Sequence, residues 1–586
     1  MILRACSRGA IALGLLSCAF FALYSQVPGR SPTVPAGAKT LAVGPAAELP
    51  LKHTGSPTTE AITAADLMTR LYIFADDSMM GREVGTKYNQ MGTAYIEREV
   101  RRLGLQPAGD NGGYFQNLPV FAYFTDSTST LGVAGRAMTL GTDYAVRSTG
   151  ERRIVLDGRP VVYGGMSNDS TTWLSRDDVA GRIIVLDVSP TSSPLLPSNA
   201  SMRAHFGRAA AVFVVSYDRT PANTRAYLAR NSALQRDDEP PATAPTVYVT
   251  HRVAALMLGP LERRRTGAFG TALTGTLILH REQSGRNVVA VLPGSDPALR
   301  GQYVAIGAHN DHIGFDSAPV DHDSIRVYNT VARPQGADSP RPARLTDEQV
   351  TRIRRMTDSV HALRGARADS INNGADDDGS GTVSVLEIAE ALARARLRPK
   401  RSILFVWHAG EEKGLWGSRY FTDHPTVPRD SIVAQLNIDM IGRGAAADVT
   451  GESRSGELLH GGSGYLQLVG SRRRSTELGD LMETVNTKGK FGFNLDYSQD
   501  ADGHPQNIYC RSDHYEYARY GIPIVFLTTG GHADYHEVTD EPQYIDYAHM
   551  ADITRFVKDA ATTLANLDHR LTVDKPKPDP RGRCVQ

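Results

Sequence analysis

Apolar and polar positions follow two different periodicities along this chain. From residue 287 onward, short apolar runs typical of buried strands are separated by stretches with apolar residues at helical spacing. The strand-like runs cover residues 287–292, 304–307, 401–406, 432–436 and 522–527. Such alternation favours an α/β domain. We predict a mixed, mostly parallel sheet flanked by helices, formed by residues 61–125 and 285–567.

The segment between these two parts has a different pattern of apolar residues. From about residue 120, short β-like runs dominate. Residues 178–186 and 209–215 resemble a protease-associated domain, a small β-rich module inserted in several exported peptidases. We expect this module over residues 126–280, as a lid or spacer without catalytic residues.

The N-terminus has the pattern of an export signal. Arg4 and Arg8 precede an apolar run over residues 9–24, which is a basic region followed by a hydrophobic one. Three outcomes fit this pattern: cleavage near the small residues 36–38, lipidation at Cys18, or an uncleaved membrane anchor. All three place the body of the protein outside the cytoplasm.

Both ends of the chain are expected to lie outside the folded domains. Residues 1–38 would be the signal or anchor, residues 39–60 a linker, and residues 568–586 a polar tail. Two cysteines remain outside the signal, Cys510 and Cys584. A disulfide between them is compatible with export, but the Pro- and Lys-rich surroundings of Cys584 favour unpaired thiols.

Composition narrows the classes of partner. Apolar residues make up 41% and charged residues 22% of the chain, which suits soluble globular domains. The 64 Lys and Arg balance the 64 Asp and Glu, so nothing favours binding to nucleic acid or to an acidic membrane surface. Contact with a membrane is expected only as a tether through the N-terminal segment. The oligomeric state is left open.

Metal-capable side chains occur in five clusters, each beside a strand-like run. They are His309 with Asp311, Asp376 to Asp378, Glu411 with Glu412, Asp439, and His536 beside Tyr535. Neighbouring carboxylates raise each other's pKa unless a cation compensates. Taken singly, each cluster is equally compatible with a solvated loop or an acidic helix N-cap. Together they predict a metal centre.

The order and spacing of these clusters resemble the co-catalytic di-zinc aminopeptidases, metallopeptidase family twenty-eight. The resemblance covers about residues 64–125 and 285–565 and implies a zinc-exopeptidase-like fold that holds two Zn²⁺ ions. It implies that one zinc is bound by His309 and Asp439, the other by Glu412 and His536, and both by Asp377.

The resemblance also implies catalytic roles. Glu411 would act as general base toward a zinc-bound hydroxide and then as general acid. Asp311 would orient His309, and Tyr535 would stabilise the oxyanion. Asp513 and His514 match a segment near the substrate pocket. The implied function is that of an exported aminopeptidase, which hydrolyses N-terminal residues from peptides.

The same residues leave other functions open. A carboxypeptidase or dipeptidase would differ in whether its pocket recognises an amine or a carboxylate, and the motifs do not display that choice. Glutaminyl cyclases share the fold but use one zinc, so the full ligand set argues against them. It argues equally against a catalytically inactive, receptor-like binding module.

Residues 316–373 depart from a minimal family member. The segment is polar, with one helix-like piece at residues 347–363, and we expect a surface insertion that covers the cleft and alters substrate choice. His312 and His322 add imidazoles close to the site in sequence. Both are expected to be bystanders.

Overall fold

The computed structural model describes residues 49–586, apart from short gaps at 151, 193–199, 222–223, 226–227, 229–230, 238–243 and 261–263. The predicted signal or anchor and residues 39–48 of the predicted linker therefore lie outside the described residues. Among the helices that the structure does describe, none combines the length and apolar character needed to cross a bilayer.

A nine-stranded mixed sheet forms the centre of the largest folded region, as predicted. Its middle strands run parallel, and antiparallel neighbours flank them on both sides. In spatial order the strands are Gln106–Pro107, Arg286–Leu292, Ser402–His408, Tyr303–His309, Ile432–Ile438, Ile524–Thr528, Tyr465–Val469 and Asn494–Asp496, and Phe115–Asn117 also pairs with Arg286–Leu292.

Helices cover both faces of this sheet. Alternate residues of a strand point to opposite faces, so Val288 and Ala290 enter one hydrophobic core while Val289 and Val291 enter another. The first core packs beneath helices Ala64–Phe74, Lys87–Arg102, Gly381–Arg394, Thr476–Lys488 and Tyr547–Asn566. The second packs beneath helices Trp416–Asp423 and His514–Ala518.

Residues 120–283 build separate β-rich layers with hydrophobic clusters of their own. A five-stranded sheet has the order Tyr144–Arg147, Thr246–Val249, Ala211–Val215, Ile183–Asp187 and Val161–Met166. A four-stranded sheet has the order Asn231–Arg236, Val120–Thr125, Thr276–Gln283 and Arg152–Val155, and a three-stranded sheet Leu273–Thr274, Leu131–Val133 and Arg136–Met138. Among the described residues of this region, short α-helices cover Arg176–Val179, Ala200–Phe206 and His251–Leu258. Its identity as a protease-associated domain stays a prediction.

The polar insertion is folded as a unit. Strand Phe315–Asp321 pairs antiparallel with Ala368–Ile371, and the helices His322–Ala332 and Asp347–Arg364 lie between them in sequence. Thr346 caps the second helix with a capping box, in which its side chain accepts from Gln349 N and the Gln349 side chain accepts in return.

The C-terminal tail corrects two expectations. Cys510 and Cys584 form a disulfide, with their Cα atoms 5.8 Å apart. The amide of Tyr509 donates to the Gln586 side chain at 2.9 Å, and Leu571 and Gln586 are both buried. The tail is polar in composition, but specific hydrogen bonds and the disulfide hold it on the domain, which a compositional argument does not detect.

Candidate metal centre and active site

The candidate site lies where the parallel strands of the main sheet end. His309 is the last residue of its strand, and Asp439 follows directly after Ile432–Ile438. Glu411 and Glu412 come three and four residues after the strand Ser402–His408. Because the carboxyl ends of parallel strands meet at one edge, they bring residues distant in sequence into a common crevice.

The structure brings the five predicted metal ligands together around Asp377. Asp377 Oδ1 lies 3.0 Å from His309 Nε2, and Asp377 Oδ2 lies 2.9 Å from His536 Nε2. Glu412 Oε2 is 3.0 Å from the same nitrogen of His536. On the other side, Asp439 Oδ1 is 3.7 Å from His309 Nε2. Each oxygen of Asp377 thus faces a different histidine.

Main-chain hydrogen bonds separate the three consecutive aspartates. Asp378 accepts three backbone N–H groups at 2.8–3.3 Å, so its oxygens are engaged although it also lies near His309 and Asp439. Asp376 accepts the backbone N–H of Gly442 at 2.6 Å. Asp377 is left facing the histidines, which explains how three acids coexist in one turn.

Asp311 and His309 are arranged differently from the expectation. His309 Nδ1 lies 3.0 Å from the main-chain oxygen of Asp311, whereas the Asp311 carboxylate is 3.8 Å away. That carboxylate accepts the backbone N–H groups of Gly410 and Glu411, at 2.7 and 3.2 Å. Burial raises the pKa of Asp311 to about 7. The Asp311 main chain therefore orients His309, and its side chain holds the loop that carries the glutamate pair.

The pKa values of the two adjacent glutamates are shifted in opposite directions. Burial and the charge of Asp377 oppose ionisation of Glu412, but His536 and His312 outweigh them and lower its pKa to about 2. Burial, with Glu412 and Asp439 nearby, raises the pKa of Glu411 well above its usual value. Glu412 is thus an ionised donor, while Glu411 favours holding a proton.

The donor set fits divalent metal ions. Burial lowers the pKa of His536, but Glu412 and Asp377 outweigh it and raise the value to about 11. His309 Nε2 is fully buried and faces Asp377, yet it makes no hydrogen bond to any residue that the structure describes. Imidazole nitrogens and carboxylate oxygens are the donors that zinc prefers in catalytic sites. A cation between these groups would satisfy all of them.

A cavity that is partly open to solvent lies beside this centre. Asp377, Glu411 and Asp439 line its metal-binding end. The remaining wall mixes amide and apolar side chains, among them Gln467, Gln499, Gln506, Met440, Ile508 and Phe526. Small molecules bind most often in such concave sites, where a few polar groups fix their orientation.

Tyr535 and the polar insertion form one wall of the cavity. The Tyr535 hydroxyl lies 3.2 Å from Arg511 Nη2, and its ring stacks on His536 with 4.1 Å between centroids. Asp338 of the insertion pairs with Arg511 at 2.7 Å, and Ala337 N donates to the main-chain oxygen of Tyr535 at 3.0 Å. The insertion therefore contributes directly to the cavity wall.

The structure contains site residues that motif reasoning missed. The Ser512 hydroxyl donates to Asp439 Oδ2 at 2.7 Å and accepts from Asn437 at 2.9 Å. Its place directly before Asp513 was the only available signal. Asp338 and Arg511 had none, because an ion pair between residues 173 positions apart leaves no local pattern.

The two residues predicted near the pocket, Asp513 and His514, do not line it, although the two residues before them, Arg511 and Ser512, do. Asp513 Oδ2 instead lies 3.3 Å from His408 Nδ1 in a buried contact. His514 stacks on Phe526, and burial lowers its pKa to about 3.

The two histidines expected to be bystanders both join buried clusters. His312 lies in the cluster that contains Asp377, Glu412 and His536. His322 lies near Asp369 and Glu541, at 3.0 Å from Glu541 Oε2. Arg367 already neutralises Glu541 through contacts of 2.7 and 3.1 Å, so this second group is a buried ion-pair network.

Comparison with known proteins assigns the domain. The model of Peptidase family M28 matches residues 287–561. Leupeptin-inactivating enzyme 1 of Streptomyces exfoliatus is 42% identical over 83 residues, which cover 14% of this chain and 19% of that protein. Leucine aminopeptidase 1 of Penicillium rubens is 26% identical over 272 residues, which cover 41% of this chain and 63% of that protein. The chain thus spans less than two thirds of the length of these curated relatives.

Among solved structures, a zinc aminopeptidase from Bacillus subtilis, BSAP, has a TM-score of 0.43 at 16% identity, covering 86% of this chain and 95% of that one. The family match begins at the second residue of the strand Arg286–Leu292, extends beyond Ile524–Thr528 and includes all five predicted metal ligands. The chain therefore carries a domain of peptidase family M28.

Proposed function

We propose that the protein is an exported, zinc-dependent aminopeptidase that removes N-terminal residues from peptides. The observation that carries this proposal is the position of Asp377, whose two oxygens lie 3.0 and 2.9 Å from His309 and His536. A carboxylate with one oxygen toward each of two histidines is suited to bridge two metal ions. Paired ions of this kind serve hydrolytic reactions in aminopeptidases.

Five residues would hold the metals. His309 and Asp439 would bind one ion, Glu412 and His536 the other, and Asp377 both. When bound, zinc supplies Lewis acidity, which activates a water molecule and polarises the peptide carbonyl. Ser512 keeps Asp439 in position through its 2.7 Å hydrogen bond.

Glu411 is the proposed general base. It lines the cavity beside Asp377 and Asp439 but belongs to neither group of clustered donors, so its carboxylate is free to accept a proton. Burial and the neighbouring carboxylates raise the pKa of Glu411, and bound cations would offset those negative charges, so that Glu411 could ionise, accept a proton and pass it to the leaving amine. The Tyr535 hydroxyl, held by Arg511, would donate to the oxygen that gains negative charge.

The relatives support peptides as the substrate class, because several of them are leucine aminopeptidases. Export is supported by the disulfide between Cys510 and Cys584, since such bonds persist in oxidising compartments. The proposed domain organisation keeps residues 61–125 and 285–567 as the catalytic part and residues 126–280 as an inserted protease-associated domain.

Arg511 favours a second candidate, a carboxypeptidase or dipeptidase. Its guanidinium lines the cavity, and guanidinium groups bind carboxylates well. However, Asp338 already engages Arg511 through two contacts of 2.7 and 3.2 Å. This pairing leaves less charge for a substrate carboxylate, and we therefore favour the aminopeptidase.

A panel of one peptide sequence with different ends tests the proposal. We expect cleavage of the peptide with a free N-terminus, whether its C-terminus is free or amidated, and no cleavage after N-acetylation. Metal analysis of the purified protein should find about two zinc ions per chain. Cleavage of the N-acetylated peptide would exclude the aminopeptidase, and a requirement for a free C-terminus would favour the second candidate.

A further inference from the structure

We propose that His312 is a sixth metal-binding side chain of this centre, in addition to the five residues of the family pattern. It rests on the proposed di-zinc function and concerns the ion that Glu412 and His536 would hold. His312 follows Asp311 directly, so the strand end that carries His309 also carries this second imidazole. One ligand atom each from His312, Asp377, Glu412 and His536 lie within 4.8 Å of one another.

The distances around His312 repeat those around His309. His309 Nε2 lies 3.0 and 3.7 Å from oxygens of Asp377 and Asp439. His312 Nδ1 lies 2.8 and 3.8 Å from oxygens of Glu412 and Asp377. Two donors bound to one zinc at about 2.0–2.2 Å are separated by roughly 3–4 Å. His312 therefore stands toward its two carboxylates as the expected ligand His309 stands toward its own.

The surroundings of His312 are built around its ring. The side chain is fully buried, and a Cβ on residue 374 would lie 2.5 Å from His312 Cγ. Gly374 adopts a φ of +55°, which glycine tolerates best. His312 Nε2 makes no hydrogen bond to any described residue. Among the described residues, the ion-pair contacts of His312 Nδ1 are both with carboxylates, and an imidazole grouped with carboxylates in this way is a candidate metal ligand.

A sixth ligand would make the two metal positions unequal. One ion would have four protein donors, from His312, Asp377, Glu412 and His536. The other would have three, from His309, Asp377 and Asp439. Four protein donors are typical of tightly held zinc, whereas three leave a position open. We therefore place the higher affinity at the His312 position and the open position at the His309 side.

Two measurements test this assignment. The first is calorimetric titration of metal-depleted protein with zinc, and the second is the absorption spectrum after Co²⁺ substitution. Wild type should bind two ions, one more tightly. His312→Ala should weaken one site by at least tenfold, the scale on which groups around a metal act, and should change the Co²⁺ spectrum. His312→Gln should behave in the same way, because its amide can donate to Glu412 but is a poor ligand. His322→Ala, at another buried histidine, should match wild type.

Thermal unfolding of each variant shows which of them are folded. Because the Ala and Gln side chains differ in volume, the test still works if one of the two variants does not fold. The proposal is overturned if His312→Ala keeps both affinities and the spectrum. It is also overturned if His312→Gln restores wild-type binding, because His312 would then act only as a hydrogen-bond donor to Glu412. If wild type itself binds no more than one ion, the di-zinc function fails first, and the sixth-ligand assignment fails with it.

Discussion

Replacing Glu411 by Gln should remove most peptide hydrolysis while both metal sites stay occupied. The substitution keeps the shape of the side chain and removes its ability to accept a proton. Glu411 lines the cavity but lies outside the groups of clustered metal donors. A positioned general base contributes about 10²–10⁴-fold to the rate. At 1.36 kcal/mol per tenfold, the loss corresponds to about 2.7–5.4 kcal/mol of transition-state stabilisation.

The same substitution should leave the fold intact. Burial and the neighbouring charges raise the pKa of Glu411 well above its usual value, so the environment disfavours an ionised group there. A neutral amide avoids that cost. We expect kcat at saturating peptide to fall by the factor above, with zinc content and melting temperature unchanged. Single-substrate kinetics, elemental analysis and thermal unfolding of one preparation measure all three.

Glu412→Gln is the matched control, because it makes the same chemical change one residue away. Glu412 contacts His312 at 2.8 Å and His536 at 3.0 Å. Its loss should lower zinc content along with activity. The division of roles would be refuted by a Glu411→Gln protein with wild-type kcat. It would equally be refuted if both variants lost zinc to the same extent.

Three further predictions concern the cavity wall, the tail and pH. Asp338→Ala should leave the charge of Arg511 uncompensated and raise KM for free-amine peptides by about fivefold, roughly 1 kcal/mol. Peptides with an acidic N-terminal residue should be favoured instead. Michaelis constants measured for peptides that begin with Leu and with Glu test both expectations. Cys510→Ser opens the link between residues 74 positions apart, and loop entropy predicts a loss of about 4 kcal/mol in urea unfolding; an unchanged midpoint would contradict this. Burial lowers the pKa of folded His514 to about 3, whereas an exposed histidine has a pKa of about 6.5. Between these two pH values the unfolded state therefore binds more protons than the folded state. The contribution of neutral His514 to the free energy of unfolding is complete above pH 6.5 and falls by up to about 5 kcal/mol toward pH 3. His514→Phe should make the free energy of unfolding depend less on pH in this range.

The positions of the strands and of the candidate ligands could be predicted because their signals are local. The apolar runs before His309, Glu411 and Asp439 are continuous in sequence, and an acid that ends a buried strand has few structural uses. The structure has strands at all the predicted positions of the main sheet. It also brings the proposed ligands to one edge.

The features that the sequence did not indicate depend on contacts between distant parts of the chain. His312, which we expected to be a bystander, lies 2.8 Å from Glu412, and a contact between residues 100 positions apart leaves no local pattern. The tail looked unstructured because its composition is polar, yet the contact between Tyr509 and Gln586 spans 77 residues. Composition and periodicity describe a segment's tendency to bury itself, but not which distant group it meets.

The roles of neighbouring acids are decided by the main chain, and this limits what motifs alone can assign. Backbone N–H groups occupy the oxygens of Asp378 and one oxygen of Asp376, which leaves Asp377 toward the histidines. The Asp311 carboxylate likewise accepts the N–H groups of Gly410 and Glu411 and fixes the turn at the end of their strand. With that turn fixed, Glu411 faces the cavity while its neighbour meets the histidines. If this turn is loosened, Glu411 and Glu412 should therefore lose their separate roles as base and ligand while the domain is still folded.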